Sequence, residues 1–188
     1  MLPNPDEKLD PRVIRTRGLI LSSFESLLAD KGFESISVQD VTDKAQVNRA
    51  TFYAHFPDKY ALLDYSIQKM FMAEIEKRTL NVCSYSPDNL RNLILAVVEF
   101  LSRLHTGCAQ SHQQFESLIE GTIKKQIFDL LSYWLRKSNV PTEIPATVAT
   151  WAIYGLASHY SHMKKRPALE KFEDEAYRLV AVNLEQFA

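Results

Sequence analysis

The sequence predicts an all-α protein, and three observations predict it. Apolar residues recur three and four positions apart through most of the chain, the spacing of one face of a helix. No strand-like alternation of useful length interrupts them. The breaks between stripes fall at Pro, Gly, Ser, Asn and Asp, which start and stop helices. With 188 residues, 46% of them hydrophobic and only 5 Gly, the chain is long enough for one compact domain or a small domain joined to a larger one.

Residues 1–9 read as a loose tail. Asp10-Pro11 is a helix start, Asp as N-cap and Pro at the first helical position. Ile20, Leu21, Phe24, Leu27 and Leu28 then share a face, and Lys31-Gly32 ends the helix. Ser37-x-x-Asp40 resembles a capping box and opens a second helix, with Val38, Val41 and Ala45 on its apolar side. Asn48 can cap a third helix, where Phe52 and Phe56 lie four apart and both turn towards a small core. Pro57-Asp58 breaks and recaps the chain, and Leu63, Ile67, Met70, Phe71 and Ile75 mark a fourth helix.

The second half starts at Ser86-Pro87-Asp88, followed by an unbroken stripe from Leu90 to Leu104. A further helix carries Phe115, Leu118 and Ile119 before Gly121. Another holds Ile123, Ile127, Leu130, Leu131, Trp134 and Leu135. Pro141 and Pro145 are expected to bracket a loop. The run Ala146 to Met163 is apolar on nearly every side, and Phe172 to Leu184 forms the last helix. The expectation is about nine helices. Residues 10–60 form a three-helix domain with a helix-turn-helix, and residues 61–188 a larger helical domain for effector binding and dimerisation.

Several function classes drop out. No apolar run approaches the roughly 18 residues needed to span a bilayer. The N-terminal MLPNPDEKLDPR has no apolar signal core, so a cytoplasmic protein with no membrane partner is expected. Cys83 and Cys108 lack metal-ligand spacing and read as reduced thiols. There is no GxSxG elbow, phosphate-cradling glycine loop or HExxH pair, so no enzyme and no cofactor is expected. His159 and His162 lie three apart on a helix, with His105 and His112 elsewhere, but no carboxylate or thiolate completes a zinc set. They read as core or interface histidines, with no metal.

The stretch from Ser37 to Leu63, SVQDVTDKAQVNRATFYAHFPDKYALL, carries the functional signal. Two short helical patterns surround a tight turn, and the second begins with small, polar residues whose first turn can approach base edges in a major groove. Charge gives less support. The net charge is −1, and the first 60 residues hold 8 Lys/Arg against 9 Asp/Glu. A general basic footprint is absent; what survives is local, at Arg12, Arg15, Arg17, Arg49 and Lys59. That pattern suits a geometric, dimeric reader of double-stranded DNA better than a nonspecific coat.

The segment from about Arg17 to Leu63, above all VTDKAQVNRATFYAHFPDKYALL, resembles the DNA-binding domain of the TetR family of bacterial transcriptional regulators. The resemblance covers roughly a quarter of the chain. It implies that Asn48, Arg49, Ala50 and Thr51 sit where the family contacts base edges. Tyr53 and His55 would touch the phosphate backbone, and Lys59 would grip a phosphate. Ser37 would do the same beside the first amides of the second helix. The family usually has Gly in the turn where this chain has Gln46, at a cost of roughly 1 kcal/mol if φ is positive there.

Blander readings stand beside these. Arg49 suits bidentate contact with guanine or a phosphate clamp; Thr51 suits a thymine methyl, a phosphate or simple surface filling. His55 is equally explained by local packing. Arg15 and Arg17 suit a backbone anchor, the adjacent minor groove, or an ordinary exposed helix start. In the second half, Phe100, Phe115, Ile119, Trp134 and Trp151 are candidates to line a pocket for a small-molecule effector of unknown identity, or plain core. A helix apolar all round must be buried all round, and a second subunit supplies the missing cover for Ala146 to Met163. Trp151, Tyr154, Gly155, His159, Leu179, Val180 and Leu184 are therefore expected at a two-fold homodimer seam. The function expected is a ligand-responsive regulator, a repressor, on a palindromic operator. The alternative is an adaptor or coactivator that keeps this fold without reading DNA.

Overall fold

A computed structural model describes residues 9–78, 84–107, 116–136 and 142–184. Among these residues there are eight helices and no strand. They are α1 (Pro11–Lys31), α2 (Val38–Ala45), α3 (Arg49–His55), α4 (Lys59–Arg78), α5 (Pro87–Gly107), α6 (Glu116–Leu135), α7 (Glu143–His162) and α8 (Leu169–Ala181). None is long and apolar enough to cross a membrane. The chain forms two compact units, one ending at Ile67 and the other beginning at Gln68. The division falls inside α4 rather than at residue 60. Leu62, Leu63 and Tyr65 are buried, and the Tyr65 ring lies 5.4 Å from that of Phe56, which holds the first turns of α4 in the N-terminal unit.

Local chemistry sets the N-terminal helices. The Asp10 carboxylate accepts from the Arg12 amide at 2.7 Å, Pro11 occupies the first turn, and Gly32 leaves α1 at φ 70°. Ile20, Phe24, Phe33, Ile36, Val41, Phe52, Phe56 and Leu62 make one core in which each is almost fully buried. Phe24 and Phe33 meet edge to face at 6.0 Å. Fully burying one such side chain is worth about 1.5–3 kcal/mol, so a three-helix unit of this size depends on nearly all of them.

In the second unit α5 packs against both α7 and α8, and α6 packs against α7. The α5 stripe Leu90, Leu93, Ile94, Val97, Val98 and Leu101 is buried as its spacing predicts. Arg91 ties α5 to α8, pairing with Glu173 at 2.7 Å and Asp174 at 3.2 Å while its guanidinium lies 4.0 Å from the Tyr177 ring centroid.

Three boundaries differ from the sequence reading. The two helices expected on either side of Gly121 are one, α6, which accounts for eight helices where nine were expected. A helical glycine costs only about 1 kcal/mol, less than the burial of Ile123, Ile127, Leu130 and Leu131 beyond it. Second, α7 starts at Glu143, so Pro145 lies within its first turn and not in a loop; first-turn amides have no intrahelical partner, and proline loses nothing there. Third, α8 runs earlier than expected, from Leu169 to Ala181.

Candidate nucleic-acid interface

The α2–turn–α3 segment is built by its caps. The Ser37 hydroxyl accepts from the Asp40 amide at 3.1 Å, and the Asp40 carboxylate accepts from the Ser37 amide at 2.7 Å, completing the expected capping box. The Ser37 hydroxyl donating to the Asp40 carboxylate, then the Ser37 amide and Lys31 at 3.0 Å, hold that carboxyl well below the usual carboxylate range. The turn itself is left-handed at Gln46, φ 54° and ψ 42°. Its amide donates to the Asp43 carbonyl at 3.3 Å and the Val47 amide to the Thr42 carbonyl at 3.0 Å. This is the Schellman pattern, which glycine fills most cheaply. Gln46 takes the positive φ that the turn demands and bears the strain.

Asn48 then caps α3, its side-chain oxygen accepting from the Ala50 amide at 2.9 Å. The seven-residue helix turns Phe52 fully into the core, while Asn48, Arg49, Ala50 and Tyr53 are exposed and Thr51 is half-buried. Arg49 and Tyr53, one turn apart, form a unit. The guanidinium donates to the Tyr53 hydroxyl at 3.4 Å and lies 6.0 Å from its ring centroid. A planar cation and a phenol are thus presented side by side on the face opposite the core.

The expected phosphate contacts are arranged differently from one another. Ser37 also donates its hydroxyl proton to Asp40, at 2.6 Å, so its donor is directed at a carboxylate. Lys59 directs its ammonium at the carbonyls of Phe33, Glu34 and Ile36, at 3.3, 3.3 and 3.0 Å. Arg17 stacks between Phe56 and Tyr65, 5.5 and 5.4 Å from their ring centroids, which places it in the packing of α1 against α3 and α4. Beside it, burial and then the Arg17 charge push the His55 imidazole below its ordinary value, so His55 is neutral at pH 7. Arg15 is exposed on α1. The sequence could not reveal the stacking of Arg17 or the three carbonyls around Lys59. Both depend on where α1 and its following loop lie against α4.

Residues 20–65 match the family model for bacterial regulatory proteins of the tetR family. Those residues are a TetR-family N-terminal region. The HTH-type transcriptional regulator YxbF of Bacillus subtilis is 36% identical over 76 residues, covering 40% of this chain and 20% of YxbF. The chain therefore spans about a fifth of the length of the first curated relatives it matches. IcaR of Staphylococcus aureus, a negative regulator of the biofilm operon icaADBC, is 21% identical over 89% of this chain and 98% of its own. Among solved structures, the Thermus thermophilus repressor FadR in complex with lauroyl-CoA superposes with a TM-score of 0.57 at 17% identity, over 89% of this chain and 94% of FadR. That likeness establishes the TetR fold for both units.

In the second unit, the residues singled out for a dimer seam separate into two sets. Tyr154 is 8% exposed, and Val180 and Leu184 are fully buried within the unit. They face the protomer's own core. Trp151 and Leu179 are 62% and 57% exposed, and Gly155 and His159 are exposed with them. The sequence reading missed Ile144, Val148 and Val182, which are also exposed. Ile144, Val148, Trp151, Gly155 and His159 follow at helical spacing along one line of α7. That phase was present in the sequence, hidden because the opposite line of the helix is just as apolar.

The pocket candidates separate as well. Phe100, Ile119 and Trp134 are buried, with Phe100 set edge to face against Phe71 at 5.2 Å. Trp151 does not join them; its ring lies on the surface over Lys124, whose ammonium is 3.2 Å from the ring centroid and pairs with Glu120. Phe115 lies outside the described residues, as do Cys83, Cys108 and His112. No cluster of metal-ligating side chains occurs among the described residues.

Proposed function

We propose that this chain is a transcriptional regulator, a repressor, which binds a palindromic operator as a homodimer and is released by a small-molecule effector. The observation that carries the proposal is the reading face of α3. A capped helix exposes Asn48, Arg49, Ala50 and Tyr53 on one side and roots itself through Phe52 on the other. Major-groove recognition uses that division of labour, with base-edge contacts from the first turn of the second helix. The local cations Arg12, Arg15 and Arg49 supply backbone attraction without a general basic surface. IcaR is a negative regulator, which favours repression.

The dimer is supported by the exposed apolar line of α7 together with Leu179 and Val182 of α8. Exposed apolar residues that follow one line of a helix suit an interaction face, and a two-fold axis lets the same face cover itself. Two α3 helices would then meet successive major grooves about 34–36 Å apart. The chain passes from the DNA unit into the second unit through α4, from Lys59 to Arg78. An effector held among the helices of the second unit, near Phe100, Ile119 and Trp134, would shift α4 and change the spacing of the heads. It releases the operator only to the extent that it prefers the non-binding state. FadR, which shares the fold, was solved with lauroyl-CoA, and an apolar effector suits the aromatic interior here.

The test is selection from fragmented genomic DNA of the source organism by purified protein at two salt concentrations. Enrichment of one short palindrome that survives the higher salt is the expected result. Recovery of nothing, or of fragments without a shared motif, would refute the DNA reading and leave the adaptor.

A further inference from the structure

Lys59 is the first residue of α4, where a cation faces the positive end of the helix dipole. Such a position is unfavourable unless acceptors surround the charge. Here three do. The carbonyls of Phe33, Glu34 and Ile36 stand 3.3, 3.3 and 3.0 Å from Nζ, and an ammonium has three protons to give. The Phe33 ring centroid lies 4.6 Å from Nζ and that of Tyr60 5.9 Å, so the charge is flanked by aromatic faces as well. Asp58 independently caps the helix by accepting from the Ala61 amide at 2.8 Å, which leaves Lys59 free of any capping duty.

The three carbonyls belong to the loop that leads directly into Ser37, the N-cap of α2. We propose that Lys59 is a positioning residue for DNA reading. It locks the α1–α2 loop, and with it the N-terminus of α2, to the start of α4, instead of gripping a phosphate. A displacement of α4 at its first turn then carries the α2 end of the reading head with it. This rests on the DNA-reading proposal above.

The test compares wild type, Lys59→Met and Lys59→Arg as full chains, on the palindromic duplex enriched from the genome. Methionine keeps an apolar stem over Phe33 and Tyr60 but has no protons to donate. Arginine keeps the charge, but its planar fork cannot aim at three carbonyls around one atom. Both variants are expected to lose about tenfold in affinity with an unchanged slope of log K against log salt. Exchange of the Ile36 amide, which donates to the Phe33 carbonyl at 3.0 Å, should quicken in both. A slope shallower by about 0.9 in Lys59→Met, with affinity kept in Lys59→Arg and exchange unchanged, would overturn the proposal in favour of a phosphate contact. If Lys59→Met does not fold, Lys59→Arg decides by the same affinity and exchange criteria. If wild type selects no DNA, the DNA reading fails, and exchange at Ile36 in the variants alone decides whether the lock exists.

Discussion

Replacing Gly155 by leucine should separate the folding of the protomer from its association. Gly155 lies in the interior of α7, exposed, and a Cβ built there meets no atom within 4 Å. Within one protomer the first atom of the new side chain therefore meets open space, and the rest extends from an exposed position. The leucine should add stability, because glycine in a helix interior is less favourable than leucine by about 0.5–1 kcal/mol. At a dimer seam the sign reverses. Gly155 sits between Trp151 and His159 on the exposed line of α7, where the absent side chain lets a partner helix approach closely. Forcing a leucine into a packed contact costs about 1–3 kcal/mol, and two-fold symmetry introduces it twice. Each 1.4 kcal/mol is about a factor of ten, so dimer dissociation should strengthen by at least about tenfold. Sedimentation equilibrium reads the association, and urea unfolding of dilute protein reads the protomer. The expected outcome is a weakened dimer made of protomers at least as stable as wild type. A dimer of unchanged affinity would place the seam elsewhere, and a destabilised protomer would show that Gly155 is packed.

Gln46→Gly should stabilise the protein by roughly 0.5–1 kcal/mol. It relieves about 1–2 kcal/mol of left-handed strain, part of which the freer unfolded chain takes back. The hydrogen bonds of that turn are backbone bonds and survive, so a lower urea midpoint would contradict the strained-turn account. Arg49→Ala should relax preference at one base pair in each half-site by about 1–3 kcal/mol, read by binding to a set of singly substituted duplexes; an unchanged profile removes Arg49 from the reading set. Asp40 has its pKa lowered from the ordinary value of 3.8, so its contribution to stability is fully present above that value and is lost as pH falls towards the folded value. Asp40→Asn should therefore lower the urea midpoint at neutral pH, and the gap from wild type should shrink below about pH 4. A gap independent of pH would mean that the carboxylate's charge is irrelevant to the cap.

Much of this molecule is legible in its residues because the information is local. The caps at Asp10, Ser37 and Asn48, the proline at position 11 and the glycine at position 32 act within a few residues of themselves, and each does what its position predicts. The strain at Gln46 follows from a turn geometry that the neighbouring helices impose. Gly121 misled because a local preference worth about 1 kcal/mol yields to burial of a whole helix, and Pro145 because a proline in the first turn of a helix removes no intrahelical hydrogen bond. The finer division of the site was illegible for a different reason. Which of Trp151 and Tyr154 faces outwards depends on the phase of α7 against α5 and α6, and α7 is apolar on both sides. Lys59 and Arg17 look like exposed cations in the sequence. Only the placement of the α1–α2 loop and of Phe56 and Tyr65 gives them internal partners.

The most direct test of the central claim is the mass of the complex formed on the enriched palindrome, measured by native mass spectrometry beside a duplex carrying a single half-site. The account predicts two chains on each palindromic duplex, and a much weaker complex on the single half-site. One chain per duplex, or equal binding to both duplexes, would contradict a dimeric helix-turn-helix reader.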